Sequence, residues 1–323
     1  MERVALRSIL ASIVLALLTS AGFGQDFPTK PITFIVPWSA GSGSDLVLRA
    51  MSDVASKELG QPIIVDNKAG GGGTVGPATM AATSKGDGYT IGQIPISVFR
   101  YQLMQGTAYD SVKDFTYIAN LSGYVITAQA GTSTGFKSWQ DVVAYAKANP
   151  GKVTYATSGA GTSGHIGMEL MASKAGVKFS HVPFKSNAEA NLAAVGGHVM
   201  MSVSGLESIP MVEAGKLVFL NIWSSKRNPK IPDVPTLLEL GLPYVFESPY
   251  GIAGPKGMDP KVVEKIQNAY KKALDDPSVI ALMDRYEMLR GSYLNSADYT
   301  KFVADYMVSE KENLAQLGLL KKD

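Results

Sequence analysis

Residues 32–45 read ITFIVPWSAGSGSD and residues 46–59 read LVLRAMSDVASKEL, a combination that predicts a strand, a loop and a helix. The opening apolar run is typical of a strand buried on both faces. In the second part, small and apolar residues recur every three or four positions, as in a helix packed along one side. Ser42 precedes Asp45 by three positions, the spacing of a helix capping box. Such a loop aims the free N–H groups of a helix at one point, where anions bind; the alternative is an ordinary turn whose small residues only cap the helix.

The same pattern returns later in the chain. Residues 153–156 form a second short apolar run, residues 157–165 read TSGAGTSGH, and a second helix is predicted over residues 166–174. The repeat indicates a second α/β unit. We therefore expect two helix N-termini, one from each unit, to close on a single anion from opposite sides.

Composition restricts the class of protein. The 323 residues are 46% hydrophobic and 18% charged, enough to bury the cores of two α/β domains. The formal net charge is only +2, and no long run of like charges occurs. We expect no binding to nucleic acid or to anionic membrane surfaces, because both need a concentrated basic patch.

Residues 1–24 predict a secretory signal peptide that is removed from the mature chain. Arg3 and Arg7 precede an apolar run over residues 9–18, and small residues follow it. That run is only about ten residues long, whereas a membrane-spanning helix needs ~20, so a retained anchor is the weaker alternative. The signal peptide predicts export, and since an exported protein without cysteine suits a bacterial periplasm, we expect that location.

Catalytic and metal-binding patterns are weak. The three histidines stand singly, without the spacing of a metal site, and we expect neither a metal nor another cofactor. Residues 131–135 read GTSTG, but Ser133 is not flanked directly by the strand and helix of a nucleophile elbow. Residues 71–76 have the glycine spacing of a dinucleotide site, which any poly-glycine run satisfies. We expect these glycines instead to allow close backbone approach to a ligand or to the neighbouring helix. We predict a protein without catalytic activity; a secreted serine hydrolase that uses Ser163 with His165, or Ser133, is the alternative.

Several ordered motifs resemble those of one family. They are a strand followed by Pro-aromatic-x-Ala-Gly near residue 37, and the segments GQPIIVDN at 60–67, DGYT at 87–90, KDF at 113–115, ANPGK at 148–152, HVPFK at 181–185, AGKL at 214–217 and PDVPT at 232–236. Together they closely resemble the Bug receptors, the extracytoplasmic solute-binding proteins of tripartite tricarboxylate transporters. The resemblance extends over the mature chain from about Asp26 to Leu319.

This resemblance implies an architecture and a function. The fold class is α/β, a two-lobed periplasmic binding protein of the Venus-flytrap, type II-like kind, with each lobe a sheet flanked by helices. Lobe 1 is expected to comprise residues 25–122 and 246–323, and lobe 2 residues 123–245. A small carboxylate is expected to bind between the lobes of a monomer, which delivers it to inner-membrane transporter subunits. Presentation of the ligand to a sensor, rather than to a permease, is the alternative.

The resemblance also implies which residues contact the ligand. They belong to the two small-residue loops: Trp38, Ser39, Ala40, Gly41, Ser44 and Asp45 in the first, and Ser158, Gly159, Thr162, Ser163 and His165 in the second.

Three further candidates lie outside these loops. Arg100 offers a bidentate fork for a second carboxylate, and Phe184 a flat apolar surface. Ser204 stands where many relatives of this kind have Asp, so a counter-charge for an ammonium group is missing unless Asp45 or Glu207 substitutes. We therefore expect a non-amino mono- or dicarboxylate, aliphatic or aromatic. The alternative is that the aromatic residues belong to the core and that Arg100 is solvated.

Overall fold

A computed structural model describes residues 27–246, 248–286, 288–289 and 291–321; the predicted signal peptide lies outside these residues. No helix within them is both long and apolar enough to cross a membrane. Numbered along this part of the chain, the strands are β1 (Ile32–Val36), β2 (Ile63–Asn67), β3 (Thr90–Ile94), β4 (Phe115–Tyr124), β5 (Thr127–Gly131), β6 (Val153–Thr157), β7 (Phe179–Pro183), β8 (Met201–Ser204), β9 (Leu217–Ile222), β10 (Ser248–Pro255) and β11 (Met288–Leu289). The α-helices are α1 (Gly43–Leu59), α2 (Val75–Thr83), α3 (Ser97–Met104), α4 (Trp139–Ala148), α5 (Ser163–Ala175), α6 (Asn187–Val195), α7 (Ile209–Glu213), α8 (Pro260–Ala273), α9 (Pro277–Arg285) and α10 (Ser296–Gln316).

The first sheet has six strands in the order β11-β4-β10-β3-β1-β2. β1 runs parallel to β2 and β3, whereas β10 runs antiparallel to β3 and β4. Successive residues of β1 serve opposite faces: Phe34 packs in a core with α1 and α8, and Ile35 packs in another with Tyr299 of α10. The sheet is therefore mixed and lies between two layers of helices.

The second sheet has five strands in the order β7-β6-β8-β5-β9. β6 runs parallel to β7 and β8, and β5 runs antiparallel to β8 and β9. Tyr155 of β6 packs in a core with Trp139 of α4 and Met171 of α5, whereas its neighbour Ala156 packs against Ala190 of α6. This sheet too has helices on both faces.

The chain passes between the sheets twice. β4 ends at Tyr124 and β5 begins at Thr127, and the chain returns from β9 to β10 through a long connection that includes residues 223–246. α10 then packs on the first sheet, so the C-terminal part rejoins the N-terminal part. The predicted fold class, two α/β lobes each with a helix-flanked sheet, is confirmed.

The two small-residue loops follow the carboxyl ends of the parallel strands β1 and β6. Ser42 Oγ accepts a hydrogen bond from the Asp45 N–H (3.3 Å) and caps α1, and Thr162 Oγ1 caps α5 through the His165 N–H (3.4 Å). The reciprocal half of the first capping box is displaced by one residue, because the Asp45 carboxylate accepts from the Gly41 N–H (2.8 Å). The helix starts are thus fixed locally, as the sequence indicates.

Gly167 of α5 lies directly against the ring of Trp223, which is fully buried. Gly167→Ala should destabilise the protein by about 1–3 kcal/mol, because a Cβ at this position overlaps the ring and the core must strain to admit it. Urea unfolding followed by circular dichroism measures the change. Ser173→Ala, at an exposed position of the same helix, is the control and should alter the free energy of unfolding by less than about 0.5 kcal/mol. Equal effects of the two substitutions would contradict this packing.

Candidate ligand-binding site

A cavity between the two lobes contains about 660 Å³ of space free of atoms, including its opening to solvent. Both lobes line the cavity, with Trp38, Ser42, Gly43, Ser44, Tyr124, Tyr250, Tyr286 and Met288 from the first and Ser158, Ser186, Asn187, Ala188, Gly205 and Glu207 from the second.

The start of α1 forms one wall. Gly43 and Ser44 are the first residues of this helix, and N–H groups at that position have no carbonyl of a preceding turn to bond. The wall is held in place from behind, because the Tyr250 hydroxyl donates to the Ser44 carbonyl (2.6 Å) and Trp38 Nε1 donates to Gln93 Oε1 (2.6 Å). These contacts hold the first turn of α1 in place at the wall of the cavity.

The start of α6 forms the facing wall. Ser186 Oγ accepts from the Glu189 N–H (3.3 Å) and caps the helix, so Asn187 and Ala188 occupy its first turn. The two walls are joined directly, since Ser39 Oγ donates to Glu189 Oε1 across the cleft (3.0 Å). Ser186, Asn187 and Ala188 are not among the ligand-binding residues predicted from the sequence. The spacing Ser186-x-x-Glu189 is that of a capping box, and it could have marked this helix start.

The remaining walls are aromatic, with one acidic side chain. Trp38, Tyr124, Tyr250 and Tyr286 supply apolar surface. Among the described residues that line the cavity, Glu207 is the only charged one; its Oε1 accepts from Asn187 Nδ2 (3.0 Å), and burial raises the pKa of its carboxyl group. An anionic ligand group at this site would be received by backbone N–H groups and hydroxyls rather than by a cationic side chain.

A smaller space adjoins the first cavity and shares Tyr124, Ser158 and Asn187 with it; it contains about 250 Å³ free of atoms, including its opening to solvent. Thr162, at the cap of α5, and Ser204 line this deeper space. The start of α5, which the sequence places opposite α1, therefore faces the deeper cavity, and α6 takes the position opposite α1. Ser204 is tied into the second lobe, because its Oγ accepts from Gln129 Nε2 (2.6 Å) and Asn191 Nδ2 (3.1 Å).

Arg100 does not line either cavity. Only 3% of its surface is exposed, so it is not solvated, and its Nε pairs with Glu310 Oε1 (2.6 Å). Its Nη1 reaches across to the second lobe, where it donates to the Gly161 carbonyl and to Ser163 Oγ (both 3.3 Å). These contacts engage the Nε and Nη1 donors of the Arg100 guanidinium, which the sequence suggested for binding a second ligand carboxylate.

Asp45 supports the first loop instead of facing the cavity. Its carboxylate accepts from Arg49 Nε (2.9 Å) and Asn67 Nδ2 (2.7 Å) as well as from the Gly41 N–H. Burial alone would raise the pKa of Asp45, but these hydrogen bonds outweigh it and hold the pKa below its usual value. Ala40 is exposed, and Gly41 lines a groove at the mouth of the cavity.

The remaining candidates of the second loop and its surroundings make packing contacts and hydrogen bonds, some of them between the lobes. Gly159 lies against Gly72 of the first lobe, and Phe184 packs with the small apolar residues of α6. Ser163 Oγ bonds to Ser248 Oγ (2.5 Å), whereas His165 Nδ1 accepts from the Gly161 N–H (3.1 Å). Ser163 and His165 therefore do not form a nucleophile–base pair in this arrangement.

No group of three or more metal-ligating side chains is assembled within the described parts of the chain. The pair His165 and His181 is stacked instead, with ring centroids 4.3 Å apart. Burial, with a smaller contribution from the charge of Arg100, lowers the pKa of His165 from its usual 6.5 to about 4. Burial and the neighbouring His165 lower the pKa of His181 to about 3. Both rings are neutral in the folded protein near pH 7.

Lowering the pH from 7 to 5 should reduce the free energy of unfolding. Both folded-state pKa values lie below the unfolded value of 6.5, so His165 and His181 take up protons on unfolding in this window, and the loss grows as the pH falls. Urea unfolding at pH 7, 6 and 5 measures it, and the double variant His165→Gln/His181→Gln should show a flatter profile. A variant that keeps the full pH dependence would contradict the assignment.

Comparison with known proteins agrees with this geometry. Residues 47–319 match the family described as "Tripartite tricarboxylate transporter family receptor". A UPF0065 protein of Cupriavidus necator is 41% identical over 319 residues, which is 99% of this chain and 97% of that protein. The solved structure of periplasmic binding protein BugD is 25% identical, with a TM-score of 0.85 over 92% of this chain and 100% of that one. MatC from Rhodopseudomonas palustris, solved with bound malate, is 26% identical, with a TM-score of 0.83 over 89% of this chain and 100% of that one.

The predicted resemblance to Bug receptors is confirmed by these matches. The structural neighbours are periplasmic binding proteins with the same two-lobed fold, and the matching family is one of solute-binding receptors. This chain belongs to the TctC family of tripartite tricarboxylate transporter receptors.

Proposed function

We propose that this protein captures a small carboxylate between its lobes in the periplasm and delivers it to a membrane transporter of the tripartite tricarboxylate type. The observation that carries this proposal is the pair of helix starts, α1 and α6, that line one cavity from opposite lobes. Each helix N-terminus carries the equivalent of about half a positive charge, so the two together can hold a carboxylate without a cationic side chain. The predicted signal peptide supports the periplasmic location, and we expect the receptor to act as a monomer.

Hinge closure is part of this proposal. The Ser39 hydroxyl donates to Glu189, and Arg100 donates to the Gly161 carbonyl; both hydrogen bonds join one lobe to the other. We infer that they belong to an arrangement in which the lobes are closed. We propose that residues 25–122 with 246–323, and residues 123–245, separate as two bodies when the ligand leaves.

A dicarboxylate, aliphatic or aromatic, is the ligand class that we propose. The aromatic walls suit a flat or apolar ligand body, and the malate bound by MatC supports a small dicarboxylate. Arg100 gives no support for a second carboxylate, because its donors are engaged elsewhere. Delivery to a sensor instead of a permease remains the other candidate for the partner, and the genes that neighbour this one would distinguish the two.

Ser44→Asp tests the carboxylate site. The new carboxylate lies in the first turn of α1, where it is favourable for the helix but repels an anionic ligand, so affinity should fall about 10-fold or more. Ser44→Asn, of nearly equal shape and without charge, is the matched control and should bind much more tightly than the Asp variant. Calorimetry against a panel of mono- and dicarboxylates measures binding, and melting temperatures confirm that both variants fold.

Two results would contradict the proposal. Equal affinities of the Asp and Asn variants would show that the ligand carboxylate binds elsewhere. In a parallel esterase assay, turnover that Ser163→Ala or Ser133→Ala abolishes would favour the hydrolase alternative.

Saturating ligand should compact the protein, because a ligand bound between the lobes stabilises the arrangement in which the two lobes are in contact. Small-angle scattering of the mature chain with and without ligand measures the radius of gyration. An unchanged radius at saturation would contradict the flytrap mechanism for this receptor.

A further inference from the structure

We propose that Glu207 selects, among small carboxylates, those that also carry a hydrogen-bond donor, a hydroxyl or an ammonium group, close to the bound carboxylate. This inference rests on the proposed function of the cavity and narrows its ligand class. It makes Glu207 a specificity-determining residue of the site.

Glu207 is placed beside the helix start that receives the anion. It belongs to the short turn Leu206–Ser208 after β8, and it lines the cavity. Its Oε1 accepts from Asn187 Nδ2 (3.0 Å), and Asn187 is the first residue of α6. Glu207 and the first turn of α6 thus line the same part of the cavity, and we infer that a ligand carboxylate on this turn places the adjacent carbon atoms near the Glu207 carboxylate.

The local backbone allows this position. A Cβ at Gly205 would overlap Glu207 Oε2, so a larger residue there would displace the carboxylate from its present position. Hydrogen bonds from the Asn187 amide and from the Gly205 backbone hold the carboxylate in this position.

Glu207 lacks a cationic partner within the part of the chain that the structure describes. Its carboxylate is bonded only to an amide and to backbone groups there, and the raised pKa is the direction expected for a carboxylate that burial leaves without a counter-charge. Asp45, the other acid considered for this role, has its oxygens occupied by Arg49, Asn67 and Gly41. A ligand donor would compensate the half-buried carboxylate of Glu207.

The same carboxylate restricts how a dicarboxylate is oriented. A second ligand carboxylate placed against Glu207 would meet a like charge in a partly desolvated site. The groove at the cavity mouth, which is lined by Lys230 and Arg285, offers a more favourable direction. A hydroxy- or amino-dicarboxylate can make both contacts: its hydroxyl or ammonium group donates to Glu207, and its second carboxylate lies toward the groove at the cavity mouth.

Matched sets of ligands test the proposal by calorimetry on the mature receptor. One set is succinate, malate and aspartate, and a second is glutarate, 2-hydroxyglutarate and glutamate; within each set only the donor group changes. The wild-type protein should bind at least one donor-bearing member about 10-fold or more tightly than the unsubstituted acid. Glu207→Gln should lower that affinity about 10-fold or more and should change the affinity for the unsubstituted acid much less. The ratio of the two affinities should therefore fall toward one. A larger loss for the amino acid than for the hydroxy acid identifies an ammonium group as the donor.

Glu213→Gln, at an exposed position of the same lobe, is the control and should keep the wild-type ratio. The proposal is overturned if the wild-type protein binds all members of a set equally, or if Glu207→Gln weakens all members by the same factor, the sign of a structural role. Absence of binding by every acid in both sets overturns this inference alone if another carboxylate of the wider panel binds. Absence of binding by the whole panel of mono- and dicarboxylates overturns the proposed carboxylate function.

Discussion

The buried guanidinium of Arg100 is the constraint on which the arrangement of the two lobes depends. A charge removed from water must be compensated by several well-placed partners, and Arg100 finds them in both lobes: Glu310 in the first, and Gly161 and Ser163 in the second. If the lobes separate, Arg100 loses the partners on one side and water must replace them. The position of the lobes, and with it the size of the cavity, is therefore coupled to how this one charge is satisfied.

The polar residues of the loops are largely engaged in holding the loops themselves. The Asp45 carboxylate accepts hydrogen bonds from three donors, Thr162 caps α5, and the Ser39 hydroxyl donates to Glu189 in the other lobe. The groups left for an anion are mainly backbone N–H groups at helix starts, which need no side chain and impose no ion pair. This division explains how a cavity without a described cationic lining residue can hold an anionic group.

Glycine allows the two lobes to approach closely at one point. The backbone at Gly72 lies so close to Gly159 and to the Ala160 carbonyl that a Cβ at Gly72 would overlap that oxygen. From the sequence, the glycine run predicts close backbone approach to a ligand or to the neighbouring helix. The structure places this glycine against the other lobe, so the run serves the interface between them.

The sequence by itself determined the elements whose cause is local. Strand and helix periodicity, the caps at Ser42 and Thr162, and the family motifs all depend on residues a few positions apart, and they sufficed to predict two helix-flanked sheets and the family. Trp38, Ser44 and Ser158 reach the cavity because their loops follow the ends of strands.

Only the tertiary structure decided which helix start faces α1 and which charged side chains are already paired within the protein. α6 rather than α5 lines the main cavity opposite α1, since the relative position of two loops in one lobe depends on how the whole sheet and its helices pack. Arg100 meets a glutamate that lies 210 residues further along the chain, a distance at which no spacing in the sequence pairs them. Local hydrogen bonding and periodicity can be read along the chain, whereas the partners of buried charges are set by contacts between distant segments.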